Sequence, residues 1–324
     1  MPPEVPTHPL IWVGFVVFIL ALLSLDLGVF HRKAHVVSFR EALGWSVVWF
    51  TLAMAFALGL VPTRGREDAL EFVTGYLVEL SLSMDNVFVI ALLFAYFRVP
   101  AQYQHRVLFW GILGALVMRG AMIGAGVALI HRFHWMLYVF GGFLVFTGIK
   151  MMVVDDEGVH PERNPVLRLA RRFFPVTTEF EGDRFFTRLN GRRALTPLAL
   201  VLLLVETTDL IFALDSIPAI FSVTQKGFII FTSNVLAILG LRSLYFLLAG
   251  AIAAFRYLKI GLSIVLIFIG AKMLLPLVAA RVPALAGLTI STAASLGVVV
   301  VILLVSIGIS IAVSHRDKEP PAVE

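Results

Sequence analysis

Apolar residues run along this chain in stretches too long for the helices of a soluble core, separated by short polar segments. Nine stretches stand at about 10–30, 42–61, 69–97, 107–130, 135–153, 196–221, 228–254, 260–279 and 286–313. Each reaches the ~20 residues that an α-helix needs to cross about 30 Å of hydrocarbon. The pattern predicts an all-α, polytopic membrane protein with about nine transmembrane helices. Only one interruption, Val154 to Leu195, is long enough to be a sizeable soluble segment. Within it Pro165 to Phe174 alternates Leu and Phe with Arg168, Arg171 and Arg172, which predicts a helix lying on an anionic leaflet. Asn190-Gly191 marks a hairpin between Phe185 and Thr196.

Composition agrees: 59% of residues are apolar and 15% charged, far from the roughly 25% charged of soluble domains. The absence of cysteine among the 324 residues excludes disulfides, thiolate metal sites and cysteine nucleophiles, and weighs against soft-metal cargo. No Lys or Arg precedes the first apolar run, which is longer than a signal-peptide core, so that run is expected to remain as a span. The net charge of +5 does not form a nucleic-acid patch, because the basic residues sort by side of the membrane. With the N-terminus outside, 17 Lys and Arg fall on the inner side and five on the outer. The positive-inside rule then predicts N-out, C-in, with the 154–195 loop in the cytoplasm. Arg119, Lys150, Arg242 and Lys272 are left inside the spans.

The polar residues within the apolar runs repeat. Aligning Met84-Asp85-Asn86 with Leu214-Asp215-Ser216 also aligns Glu79 with Asp209. The next span of each copy carries one arginine, Arg119 or Arg242. In the span after that, Phe146-Thr147-Gly148-Ile149-Lys150-Met151 matches Phe268-Ile269-Gly270-Ala271-Lys272-Met273. Two copies of three spans, at about 69–153 and 196–279, would enter the membrane from opposite sides, the inverted arrangement of many secondary transporters. The whole chain would form one transmembrane domain.

Six acids fall within spans: Asp26, Glu79, Asp85, Glu206, Asp209 and Asp215. Each disfavours insertion by roughly 2.5–3.5 kcal/mol at a helix centre, so such residues usually line an ion or substrate path. Against the four bases the sum is minus two, which a divalent cation would neutralise; a buried acid can instead take up a proton. Oxygen ligands from Asp, Glu, Asn and Ser suit Mg2+, Ca2+ and Mn2+. On an intact helix Glu79 and Asp85 sit about 120° apart, so both face one cavity only if the helix bends or its polar face is wide. Pro218 offers such a bend in the second copy. Arg119 and Arg242 are expected to pair with the acids, and Lys150 and Lys272 to reach toward the headgroups. Asp26 is either interfacial or an entry ligand. His31 and His35 are expected in solvent, and Gly120-x3-Gly124 marks a helix-packing face.

At these residues the chain resembles the TerC family of integral membrane proteins. Glu79-Leu-Ser-Leu-Ser-Met-Asp85-Asn86 and Glu206-Thr-Thr-Asp209-Leu-Ile-Phe-Ala-Leu-Asp215-Ser-Ile-Pro218-Ala match the two long family motifs without a break, and Arg184-Phe185-Phe186 and Thr232-Ser233-Asn234 through Arg242 extend the match. The resemblance implies a nine-span inner-membrane exporter of Mn2+, with Glu79, Asp85, Glu206, Asp209 and Asp215 as transport-site acids. Asn86 completes the expected metal ligands, and Arg119, Arg242, Asp26 and Asn234 the supporting pairs. No ATP-binding or phosphorylation motif is present, so exchange against protons is the expected drive. No permanently bound cofactor, enzymatic activity or nucleic-acid partner is expected; the metal ion and the bilayer are the expected partners. The alternatives are a membrane scaffold or metalation helper for secreted proteins, and an exporter of another small substrate such as Ca2+ or an amino acid.

Overall fold

The computed structural model describes residues 8–25, 37–153, 164–189, 191–248, 255–280 and 290–316. Asp26, Arg32, Lys33, His31 and His35 lie outside the described residues. The described chain is almost entirely helical, as its hydropathy predicts. In order it forms α1 (Pro9–Leu25), α2 (Phe39–Arg64), α3 (Arg66–Tyr96), α4 (Ala101–Arg132), α5 (Met136–Val153) and α6 (Pro165–Phe173). A hairpin of β1 (Phe186–Leu189) and β2 (Arg192–Leu195) follows, then α7 (Pro197–Phe221), α8 (Gly227–Leu239), α9 (Leu241–Leu248), α10 (Phe255–Ala279) and α11 (Thr292–Arg316). Among the described residues eight segments are long and apolar enough to cross a membrane, α8 and α9 together making one from Gly227 to Leu248; α1 is a shorter apolar helix.

Local signals set the helix ends. Ser38 accepts from the Glu41 amide at the start of α2, and Thr196 from Ala199 ahead of Pro197 at the start of α7, each satisfying a donor that the first turn leaves free. Gly65 alone separates α2 from α3; its φ of +99° is open to glycine at little cost and reverses the chain in one residue. α1, α2 and α11 turn apolar side chains outward, Leu10, Leu58, Val301 and Leu304 among them. Exposed side chains of this kind suit hydrocarbon. α3 and the Gly227–Leu248 span are the most enclosed. α3 packs on α7 and α8, α4 packs on α7, and α5 lies along α10.

The helix is not broken at Pro218: α7 continues through it to Phe221. A proline removes one main-chain hydrogen bond, and the buried Ala213, Ile217, Ile220 and Phe221 hold this helix in one apolar cluster. The interruption falls instead at Gly240, between α8 and α9. The described part of the long polar segment, from Asn164 on, also docks more closely than a helix resting only on lipid. Leu167 of α6 is buried with Val99, Val107, Leu195 and Leu198. Arg106 at the start of α4 pairs with Asp183 and lies 5.3 Å from the centre of the Phe185 ring. The hairpin pairs Phe186 with Leu195 and Leu189 with Arg192, and Gly191 in its turn has φ +80°.

Docking of the loop defines one end of the bundle, here the loop end. At the far end a second polar cluster ties α3 to the α7–α8 connection. Lys226 Nζ lies 2.7 Å from Asp68 Oδ1 and 3.1 Å from Glu71 Oε2. Arg64 Nε donates to Asp68 Oδ2 at 2.9 Å, and Thr224 Oγ1 to Glu71 Oε2 at 2.7 Å. Burial lowers the pKa of Lys226, but its bonds to the two carboxylates outweigh that and hold it above the usual lysine value.

Candidate functional site

The acids divide between two environments. Glu79 on α3 and Asp209 on α7 converge on Arg119 of α4, all three almost fully enclosed. Arg119 Nη1 donates to Glu79 Oε1 and, at 3.2 Å, to Ser216 Oγ. Its Nε and Nη2 grip both oxygens of Asp209, at 3.2 and 2.8 Å. This two-pronged geometry suits a guanidinium and no other side chain. Asn234 of α8 donates to Glu79 Oε2 at 2.8 Å, Ser83 to Glu79 Oε1 at 3.3 Å, and Asn86 to Asp209 Oδ1 at 3.1 Å. Two carboxylates meet one guanidinium, and the network joins α3, α4, α7 and α8. The expected pairing of Arg119 with the acids is therefore present, with Asn234 as a further support. Arg242, by contrast, lies on α9 with its Nη1 3.2 Å from His105 Nε2.

Asp85 and Asp215, six residues beyond Glu79 and Asp209, are half-buried and line a cavity of about 330 Å³ at the loop end. Asn86, Arg119 and Ser216 form its contact with the ion network, and Thr147, Lys150 and Lys259 add polar groups from α5 and α10. Thr147 faces Asp215, with Lys150 close enough to act on it electrostatically. Lys150 thus serves the cavity, where sequence spacing had sent it to the headgroups. The 120° between Glu79 and Asp85 is used rather than removed: an unbroken α3 turns one acid to Arg119 and the other to the cavity.

Asn86 bridges the two regions. Because its Nδ2 donates to a carboxylate, its Oδ1 is directed elsewhere and is left a buried acceptor without a hydrogen-bond partner. Asn234 Oδ1 is in the same condition. Buried acceptors without partners are rare in native proteins. The orphan on Asn86 belongs to a residue that also lines the cavity, while the oxygen itself is enclosed; an amide oxygen is a hard ligand of the kind Mn2+, Mg2+ or Ca2+ takes.

Glu206 makes no hydrogen bond to either group, but it lies near enough to Asp209 for the two carboxylates to repel. Its carboxylate lies so close against Gly114 of α4 that a β-carbon there would be 2.0 Å from Oε1. Among the described residues no three or more His, Cys, Asp or Glu side chains cluster as a metal site. Asp85, Asn86 and Asp215 share the cavity, Glu79 and Asp209 share Arg119, and Glu206 lies near Asp209 without joining the network. Sequence reasoning missed Thr147 and Lys259 as lining residues. Thr147 was visible inside the repeated Phe-x-Gly-x-Lys-Met motif, whereas Lys259 read as an ordinary basic loop residue.

This is a multi-pass, all-α integral membrane protein with charged side chains enclosed at its centre. The TerC integral membrane protein family model matches residues 64–318, and the chain belongs to that family. It is 58% identical over 265 residues to an uncharacterized membrane protein of Myxococcus xanthus, covering 82% of this chain and 83% of the relative. It is 47% identical over 321 residues to Alx of Salmonella typhi, covering 96% and 97%, and 46% identical over 321 residues to Alx of Escherichia coli K12, again covering 96% and 97%. Both Alx proteins are named as candidate membrane-bound redox modulators. No solved structure gives a significant match to the chain.

Proposed function

We propose that this protein is a secondary transporter that exports Mn2+ across the bacterial cytoplasmic membrane in exchange for protons, with Asp85 and Asp215 as the residues that take the ion. The observation that carries the proposal is the cavity in which the corresponding acids of the two sequence copies meet, near the loop end and lined also by Asn86. Glu79 and Asp209 are engaged by Arg119 and act as the framework that positions these ligands rather than as ligands themselves. Two carboxylates, with Asn86 and Thr147 among the lining residues, suit a hard dication. With fewer anionic ligands than a storage site, they suit an ion that must also leave.

Lys150 acts as the resident counter-charge. Beside Asp215 it compensates the acid while the cavity is empty, and an arriving dication takes over that role. Protonation of the carboxylates then favours release of the metal, because metal and proton compete for the same oxygens. The redox label of the Alx relatives is compatible with manganese export. A thiol–disulfide activity is not available to this chain, which has no cysteine.

The test is the metal content of cells with and without the protein, measured by mass spectrometry across Mn, Fe, Ca, Mg and Zn. Expression should lower cellular Mn selectively, and Asp85→Asn should restore it. An unchanged Mn content with a fall in Ca would reassign the substrate, and no change in any metal would favour the scaffold reading.

A further inference from the structure

α5 and α10 meet through glycines whose contacts are reciprocal. A β-carbon at Gly148 would lie 2.8 Å from the Ser263 carbonyl oxygen and 2.7 Å from Ile267 Cγ1. One at Gly270 would lie 2.6 Å from the Gly141 carbonyl oxygen and 2.8 Å from Val145 Cγ2. A shift of 122 residues carries Gly148, Gly141 and Val145 onto Gly270, Ser263 and Ile267. Each helix therefore offers the other the same surface, as a two-fold axis between them requires.

The same shift carries Lys150 and Met151, which line the loop-end cavity, onto Lys272 and Met273. Those two line a separate cavity of about 400 Å³ at the far end, together with Leu137, the counterpart of Lys259. On α3 and α7 the 130-residue offset of the aspartates carries Leu92 of the first cavity onto Ser222 of the second. The two cavities thus share four matched lining positions. Between the far cavity and the aspartates, Phe140 of α5 stacks on Phe221 of α7 with ring centres 6.2 Å apart and planes at 21°. The Phe221 ring also presses on Gly126, where a β-carbon would lie 2.7 Å from it. The counterparts of these two aromatic residues at the loop end are the smaller Leu262 and Ala91.

We propose that the far cavity is the exit vestibule of the cation path, the repeat-related image of the loop-end cavity, and that the Phe140–Phe221 stack is the plug between it and Asp85 and Asp215. The inference rests on the transport reading of that site. Parting of the stack, with α5 and α10 exchanging roles across their glycine contact, puts Lys272 beside Asp85 as Lys150 now lies beside Asp215. The aspartates then face the far end while the loop end closes.

Because the chain has no native cysteine, single cysteines and a membrane-impermeant thiol reagent test this directly. Lys272→Cys should react from the far side only and Thr147→Cys from the loop side only. Ile269→Cys, at the buried counterpart of Thr147, should react slowly and only from the far side, since an open state populated at about 0.1–10% limits its rate. Adding Phe221→Ala should raise that rate by roughly tenfold or more by favouring the open state; Phe140→Ala serves the same purpose if the first variant does not fold. Labelling of Ile269→Cys from the loop side, or silence from the far side in all backgrounds while Lys272→Cys reacts, would overturn the proposal. Manganese export with Ile269→Cys silent would defeat this path alone, whereas the expected labelling without export of any metal would defeat the transport reading alone.

Discussion

Arg119 holds Glu79 and Asp209 together in an almost water-free setting, so its removal leaves two enclosed carboxylates without their cation. Loss of one partner from a buried ionic group costs about 3–5 kcal/mol. Arg119→Met should therefore lower the thermal midpoint of the detergent-solubilised protein sharply. Asp85→Asn and Asp215→Asn, at half-exposed cavity positions, should leave the midpoint near wild type while abolishing export. Equal thermal midpoints for Arg119→Met and the wild type would show that the network does not hold the helices. Residue identity made the six acids legible in the sequence, and helical spacing correctly separated Glu79 from Asp85. Which acid takes the arginine depends on how α4 lies across α3 and α7, and no local pattern carries that. The seat of Glu206 against Gly114 is hidden for the same reason.

Between elements, the tightest approach is that of α5 and α10, where Gly148 and Gly270 let main chains come close. Larger residues here must push whole helices apart, and overpacking of this kind costs about 1–3 kcal/mol or more. Gly148→Val and Gly270→Val should each destabilise the folded protein by comparable amounts, because the contact is reciprocal, whereas Gly142→Val, with open space around its Cα, should not. Thermal unfolding of the three variants checks this, and a tolerated Gly148→Val would remove the close contact. The helices themselves were legible: the apolar runs predict the spans to within a few residues, and Asn190-Gly191 predicts the hairpin. Pro218 does not end α7, because proline near a helix's last turn removes a single hydrogen bond and the residues around it are buried in one apolar cluster. Gly120-x3-Gly124 was half informative: Gly120 meets Phe231, while nothing lies within 4 Å of a β-carbon at Gly124.

For the whole molecule, sidedness and the proposed direction of transport are linked, since the cavity is lined by Leu92, Met151 and Lys259 toward the end where α6 and the hairpin dock. By the positive-inside rule we propose that this end faces the cytoplasm. A cysteine at Thr178, exposed on the segment, should react with an impermeant reagent only after the cytoplasmic side is opened. Labelling in intact cells would reverse the orientation and turn the exporter into an importer.

The central claim is that Mn2+ and protons exchange through Asp85 and Asp215. Inside-out vesicles holding the protein, with an acidic lumen, measure it most directly. The account predicts Mn2+ accumulation in the lumen against its concentration gradient, its collapse on adding a protonophore, and no accumulation in vesicles carrying Asp85→Asn or Asp215→Asn at equal abundance. Accumulation that persists after both the pH gradient and the membrane potential are dissipated, or that survives either substitution, would contradict it.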